Sequence, residues 1–495
     1  MFIGGLDIGT TGCKLSIYND KGEFVFNSYK EYDVSRKNGA HEVDANIIFD
    51  SVCDVVSETV KKYELEAVGV TTFGETFVAL DENDNVLLPS MLYTDSRGEQ
   101  ECEELCAILG EKRIIGISGV KPHPMYSLPK IMWIKNNLPK VYTKIKHIFL
   151  MEDYIVYKLC GKACIDYSLA ARTMAFDIRQ RCWSREIFDA AGIDMSLMSE
   201  PVPAGNVAGI LKKDIADRLG ANKPFKIVNG SHDQVAATVG AGIFAPGEAV
   251  DGTGTVECIV PIFDHIPENE EMYNKGYAVV PYVTENTYVC YAFSFTGGAV
   301  LKWFRDNFTA KYNDVKNIYA FLDANIKDDP TGILVLPHFA GAATPYMDNF
   351  SRAAMIGLTL EHSDLDIYKA LMEGVTYELM INIENLERFG ISPDKIYATG
   401  GGASSDVWLQ IKADILNRPM TSLSAKEVGA CGTCMLAGVG IGLYKDLEEA
   451  KQYFVKHKST AFPSKEKNET YAKYYSAYRK IYDAVRPIIE EANKS

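Results

Sequence analysis

The sequence predicts an α/β fold with mixed sheets, arranged as two related domains, and three observations carry that prediction. A strand–turn–strand motif opens the chain in "GLDIGTTGCKLSIYND" (Gly5 to Asp20). Roughly half the chain later the motif recurs in "GEAVDGTGTVECIVPIF" (Gly247 to Phe263), again with Asp, Gly and Thr between two apolar runs. Each copy is followed by further strand-like segments and then by helical ones. Hairpins that feed alternating helices and strands build α/β domains with mixed sheets.

Taken in order, the first copy leads into "KGEFVFNSYKEY" and, past a helix, "EAVGVTTFGETFVALDENDNVLLPSMLY". The second leads into "GYAVVPYVTENTYVCYAFSF" and then "GGAVLKWFRDNF". Between the halves, "GAGIFAPGEAV" is rich in Gly, Ala and Pro, as domain boundaries are. This places one domain over 1–243 and the other over 244–495. A helix is expected at 471–485, where Tyr471, Tyr474, Tyr475, Tyr478, Ile481, Tyr482 and Val485 recur at helical spacing and form a packing face.

Bulk properties narrow the function. The 495 residues are 47% hydrophobic and 24% charged, enough for a large core. A net charge of -15 argues against nucleic acid, whose phosphates call for basic patches. No apolar run approaches the ~18 residues of a membrane span. Asp7 interrupts the first apolar run and no basic segment precedes it, so no signal peptide is expected. The eleven cysteines then read as reduced thiols of a cytoplasmic protein. Cys431 and Cys434, in "GACGTCMLAG", lack nearby ligands for a zinc site and read as small residues on a tightly packed helix.

The loops carry the chemistry. Asp7-Ile8-Gly9-Thr10-Thr11-Gly12-Cys13-Lys14 is neither a Walker A loop nor a dinucleotide fingerprint, because a strand follows it and its glycines are differently spaced. Its backbone N–H groups, two hydroxyls and a Lys can cradle a phosphate. An Asp at the strand end can hold a hydrated Mg²⁺ that bridges phosphates. Asp251 to Thr255 offers the same groups a second time. A third cluster, "IYATGGGASSDVWLQIKADIL" (Ile396 to Leu416), puts Gly400, Gly401 and Gly402 at a strand-to-helix turn, with Ser404 or Ser405 as the cap. Such a turn permits close approach of a flat or phosphate-bearing ligand.

The candidate base lies in "VNGSHDQVAATVGAG" (Val228 to Gly242). Asp233, at a strand end, is placed to accept a proton from a substrate hydroxyl, with His232 ranked second. An N-cap role for Asp233 is the competing reading. Glu75, Asp95 and Arg97 sit at strand ends, where carboxylates and a guanidinium can recognise a polyhydroxyl ligand.

On these residues the chain resembles the FGGY carbohydrate kinases of the actin-like ATPase superfamily. "DIGTTGCK" and "DGTGT" resemble the two phosphate loops, and "TGGGASSDVWLQIKADILNRPM" the adenosine segment. "MYSLPKIMWIKNN", with Lys130 and Trp133, and "AAMIGLTLEHSDLDIYKALMEGVTYE" fit two further family patterns, Leu371 standing where a smaller or branched residue is usual. The resemblance implies two ribonuclease-H-like (actin-like ATPase) domains with ATP in the cleft between them. It implies Asp233 as catalytic base, with Asp7 and Asp233 beside Mg²⁺. Thr10, Thr11, Lys14 and Gly252 to Thr255 (Gly252, Thr253, Gly254, Thr255) would line the phosphates, and Gly401, Gly402 and Ser405 the adenosine. Gly74, Glu75, Asp95 and Gln234 would hold the sugar. A dimer is common in the family. Xylulokinases tend to have Met-His-Gly where this chain has Phe73-Gly74-Glu75, and glycerol kinases have Arg-Glu there, of which only the Glu is kept. The expected reaction is ATP-dependent phosphorylation of a small ketopentose or ketohexose. A polyol kinase is the alternative, and a non-catalytic actin-like sugar sensor a remote one.

Overall fold

The computed structural model describes residues 1–37, 39–425 and 427–493. The chain forms two compact units. The first comprises Met1–Gly242, Ala278–Val289 and Glu427–Val455; the second comprises Ile243–Tyr277, Cys290–Lys426 and Lys456–Ser495. The units thus depart from a single cut at residue 243, because two segments of the second half of the chain belong to the first unit.

In the first unit a six-stranded sheet is formed by β1 (Phe2–Ile8), β2 (Gly12–Asn19), β3 (Phe24–Glu31), β4 (Leu65–Thr72), β5 (Val207–Ile210) and β6 (Lys226–His232), in the order β5-β6-β4-β1-β2-β3. β1 pairs antiparallel with β2 and parallel with β4, which sets Asp7 between Lys14 and Thr71. Leu6 and Ile8 of β1 enter a core with Ile48, Val52 and Val55 of the helix Ala45–Val60. Residues of the opposite parity face the helix Val428–Gly440. A Cβ on Gly5 would stand 2.3 Å from the Ala430 carbonyl oxygen, and one on Gly69 2.8 Å from that of Thr433. Only glycine lets the helix backbone lie this close to the sheet. The same helix crosses the helix Asp233–Gly240 at glycines: a Cβ on Gly240 would lie 1.9 Å from the Val428 carbonyl oxygen, and one on Gly432 2.0 Å from that of Ala236. This backbone-to-backbone packing explains why 427–455 joins the first unit and why Cys431 and Cys434 are fully buried.

The second unit repeats the pattern with β7 (Glu248–Thr253), β8 (Glu257–Phe263), β9 (Lys395–Gly400), β10 (Met420–Leu423) and β11 (His457–Ala461). They run β8-β7-β9-β10-β11. The hairpin β7–β8 is antiparallel, β9 and β10 add in parallel, and β11 closes antiparallel. This is the order of β2-β1-β4-β6-β5, so the internal repeat extends from loop to sheet.

The expected final helix at 471–485 is instead two helices, Lys465–Tyr478 and Ile481–Asn493. The tyrosines dock on different partners. Tyr478 donates to Glu378 at 2.6 Å, whereas Tyr482 donates to Asp348 at 3.0 Å and stacks on Tyr346 with centroids 4.0 Å apart. No helix among the described residues is long and apolar enough to cross a membrane.

Candidate active site

The candidate residues fall into two groups, one in each unit. In the first unit, β6 runs through His232 and the helix begins at Asp233, with His232 as the N-cap residue. Asp233 therefore sits in the first turn and does not cap. Its carboxyl is 38% exposed, yet its Oδ1 is closed off and accepts no hydrogen bond. Burial pushes Asp233 up to about 6, against the pull of the Gln234 N–H and of Arg172. His232 Nδ1 lies 3.3 Å from Oδ1. Burial and the neighbouring Arg172 drive that imidazole down to about 3, leaving it neutral and a poor base.

Asp7 is pushed up to about 7 by burial and then by the charge of Asp233, against the pull of Lys14. Two carboxyls both pushed upward, Asp7 in part by the charge of Asp233 and Asp233 with an unbonded buried oxygen, are short of positive charge. That fits a Mg²⁺ held by one or two carboxylates that keeps its waters and phosphate oxygens as other ligands. Among the described residues no group of three or more His, Cys, Asp or Glu could hold a metal, so a fully protein-ligated site is not built here. In the adjoining turn Gly9 N–H donates to the Gly12 carbonyl at 2.9 Å. Thr10 is half-buried and Thr11 exposed. Lys14 forms an ion pair with Glu427 at 2.9 Å, a partner that sequence reasoning missed because the two lie 413 residues apart.

The sugar candidates meet around one helix. Glu75 is 5% exposed and has a left-handed backbone, φ +63, uncommon outside glycine. Its Oε1 accepts from Arg172 Nε at 2.6 Å and also from Nη2. A Cβ on Gly74 would lie 3.0 Å from Arg172 Cγ and 3.1 Å from His232 Cδ2, so the Gly74–Glu75 turn packs directly onto the residue before the candidate base. Asp95, 2% exposed, accepts from Arg97 Nε at 2.8 Å, from Nη2 at 2.7 Å and from the His41 N–H at 2.8 Å. The helix Ser127–Asn137 joins the two carboxylates. Ser127 Oγ donates to the Glu75 carbonyl at 2.6 Å, and the Trp133 ring lies 5.2 Å from the Arg97 guanidinium. Lys130, fully buried, is driven down to about 8 by burial, against the pull of Asp95 and then Glu75. Gln234, half-buried, follows Asp233 in the same turn. Arg172 was the chief residue missed; alone in "SLAARTMAFD" it carries no recognisable spacing.

In the second unit a cavity of about 530 Å³ is lined by Gly254, Thr255, Gly401, Gly402, Ser405 and Trp408, and by Gly298, Ala299, Asn317 and Tyr319, which the sequence did not single out. Ser405 is the cap, accepting from Trp408 N–H at 3.0 Å. The glycines divide by cause. Gly402 is demanded by packing, since a Cβ there would lie 2.5 Å from Thr253 Cγ2. A Cβ on Gly401 would meet nothing closer than 3.9 Å, and one on Gly254 nothing within 4 Å. Protein packing does not require glycine at those two cavity positions.

Thr253 and Asp251 face inward. Lys412 Nζ lies 2.6 Å from Asp251 Oδ2, 2.6 Å from Thr253 Oγ1 and 2.5 Å from Glu257 Oε1, all four side chains being buried. Burial and then Asp251 push the Glu257 carboxyl upward, against the pull of Lys412. The expectation that Asp251 repeats the chemistry of Asp7 is therefore corrected: its carboxylate braces the hairpin. The Thr253 hydroxyl is likewise taken up, leaving Gly252, half-buried, and Gly254 and Thr255, both exposed, to form the loop surface.

Comparison with known proteins identifies the family. Residues 2–240 match the model of the FGGY family of carbohydrate kinases, N-terminal domain, and residues 263–441 that of its C-terminal domain. A xylulose kinase of Lactococcus lactis is 27% identical over 97% of this chain and 96% of its own. A gluconokinase of Bacillus licheniformis is 28% identical over 89% and 86%. The crystal structure of a ligand-bound xylulose kinase from Lactobacillus acidophilus superposes with a TM-score of 0.89, at 25% identity and 98% coverage of both chains. The fold is that of the actin-like ATPases. Two loop repeats on two matching sheets, and family matches that span most of both halves, lead to one conclusion: the chain belongs to the FGGY family of carbohydrate kinases.

Proposed function

We propose that this kinase transfers the γ-phosphoryl group of ATP to a hydroxyl of a small ketose, a ketopentose or ketohexose such as xylulose, with Asp233 as general base. The observation that carries the reading is the Asp233 carboxyl. It sits at a strand-to-helix junction, has an oxygen with no hydrogen bond, and stands beside an anionic neighbour, Asp7. A carboxylate so placed can take the proton of an attacking hydroxyl. Asp7 and Asp233 would hold Mg²⁺, which neutralises developing phosphate charge when bound. Thr10, Thr11 and the N–H groups of the first turn would position phosphate oxygens, and Lys14 would serve them by exchanging Glu427 for phosphate. Gly254, Thr255, Gly401, Gly402 and Ser405, on the cavity of the second unit, would take the nucleotide. Glu75, Asp95 and Gln234 would orient the sugar, since catalysis of this transfer is chiefly positioning.

The L. lactis and L. acidophilus relatives, both named xylulose kinase, support the ketopentose. A polyol such as glycerol or erythritol is favoured by a single observation: Arg172 brings a guanidinium to Glu75, the Arg–Glu pairing that the sequence alone lacks at Phe73-Gly74-Glu75. An ADP-release assay against pentuloses, hexuloses and polyols decides between them. Asp233→Ala should fold normally and lose roughly 10²–10⁴-fold in turnover. Turnover close to wild type in that variant removes Asp233 as the base, and no activity with any substrate favours a sensor.

A further inference from the structure

Glu75 and Arg172 suggest more than a binding contact. Both are nearly fully buried, at 5% and 6% exposure, and both hydrogen bonds between them fall on one oxygen, Oε1. Among the described residues no hydrogen bond reaches Oε2. That oxygen is a charged acceptor with an open position, matched by an O–H donor. The other charges nearby are already used. Arg97 is shared by Asp95 and Glu42, and Lys130 Nζ donates to the Pro124 carbonyl while standing in the field of Asp95 and Glu75. Four carboxylates, Glu42, Glu75, Asp95 and Asp233, thus stand in the field of three cations, Arg97, Arg172 and Lys130. A further carboxylate brought into this set would be an uncompensated buried charge, and those are strongly disfavoured.

We infer that the sugar end of the site is built for an uncharged polyhydroxy substrate and against an aldonate, with Glu75 as the specificity-determining residue and Arg172 as the group that positions it. This rests on the proposed role of the site in sugar phosphorylation. It bears on a real division among the relatives, which include proteins named xylulose kinase and gluconokinase. Arg172 is the pivot. The Nε–Nη2 edge of its planar fork could receive a substrate carboxylate bidentately, but Glu75 Oε1 occupies that edge. The left-handed backbone at Glu75 and the bond from Ser127 Oγ to its carbonyl fix the turn that delivers this carboxylate. Backbone conformations of this kind persist where the surroundings impose them.

The test compares kcat/KM for D-xylulose, glycerol and gluconate in the full-length wild-type enzyme and two variants. In the wild type, a neutral substrate should exceed gluconate by about 100-fold or more, the scale set by leaving a buried charge unpaired. Glu75→Gln leaves the guanidinium without its carboxylate. It should lower kcat/KM for the neutral substrate by about 100-fold and raise that for gluconate, while KM for ATP stays within about twofold. Arg172→Gln covers the case in which E75Q does not fold. It should raise KM for the neutral sugar about tenfold or more, with gluconate still rejected and KM for ATP unmoved. A purely structural role would shift both substrates and ATP together. Preferential phosphorylation of gluconate by the wild type overturns the inference and leaves the kinase reading intact. So does an unchanged neutral-to-acid ratio in both variants. Absence of turnover with every sugar, polyol and aldonate overturns the sugar-kinase reading itself, and this inference with it.

Discussion

The two hairpin loops, at Asp7 and at Asp251, share a sequence pattern and a place in their sheets, yet their aspartates have opposite fates. Asp7 ↔ Lys14 and Asp251 ↔ Ile259 are both positions on the first strand of an antiparallel hairpin that continues into parallel pairing. Asp7 is left short of counter-charge, pushed up by burial and by Asp233, and Lys14 beside it is drawn to Glu427. Asp251 has no exposure and has the Lys412 ammonium against its Oδ2, while its Oδ1 accepts no hydrogen bond. A repeated motif therefore fixes where an Asp stands, not what it does. Its role is decided by the cation that the rest of the unit places opposite.

That contrast can be broken experimentally, and the largest effect is expected at Asp7. Asp7→Asn removes charge from the proposed metal side and should lower kcat by roughly 10²–10³-fold, with little change in the denaturation midpoint. If activity persists and stability falls, the two aspartates have been assigned the wrong way round. The mirror experiment is Lys412→Met. Removing one partner of a buried ion pair typically costs about 3–5 kcal/mol, so chemical denaturation should show a loss on that scale while the remaining folded enzyme keeps KM for its sugar. A fall in kcat without a fall in stability would place Lys412 in the chemistry.

The pH dependence sharpens the comparison further. Asp233 must be ionised to accept a proton, and its carboxyl is pushed up to about 6. Protonation at lower pH removes the base, so kcat/KM should fall about tenfold per pH unit below that value and level off above it. In Asp233→Asn the remaining activity should lack that limb, and a limb that survives belongs to another group. The smallest effect is expected at Gly401. A Cβ there meets no protein atom closer than 3.9 Å, so Gly401→Ala should leave thermal stability unchanged. It should raise KM for ATP by about severalfold to tenfold, on the scale of one crowded ligand contact. An unchanged KM for ATP would remove Gly401 from the nucleotide site.

Much of the fold was legible because it is written in local patterns. The opening hairpin, the strand leading to Asp233 and the Ser405 cap each depend on residues a few positions apart. The failures share one cause. The two-helix C-terminus turns on separate tertiary partners for Tyr478 and Tyr482. The assignment of 427–455 to the first unit turns on Gly240 and Gly432, which are small in sequence and decisive only where two helices touch.

The sequence by itself determined the family, the two loop repeats, the strand ends that carry Glu75, Asp95 and Asp233, and the glycines around the cavity of the second unit. Only the tertiary structure decided the charge partners: Arg172 for Glu75, Arg97 for Asp95, Glu427 for Lys14 and Lys412 for Asp251. Except for Arg97, these partners lie 97 or more residues away. Spacing rules reach across a turn or a strand pair, whereas an ion pair depends on which distant surface folding brings within about 3–4 Å, and that distance decides whether a carboxylate binds, catalyses or braces.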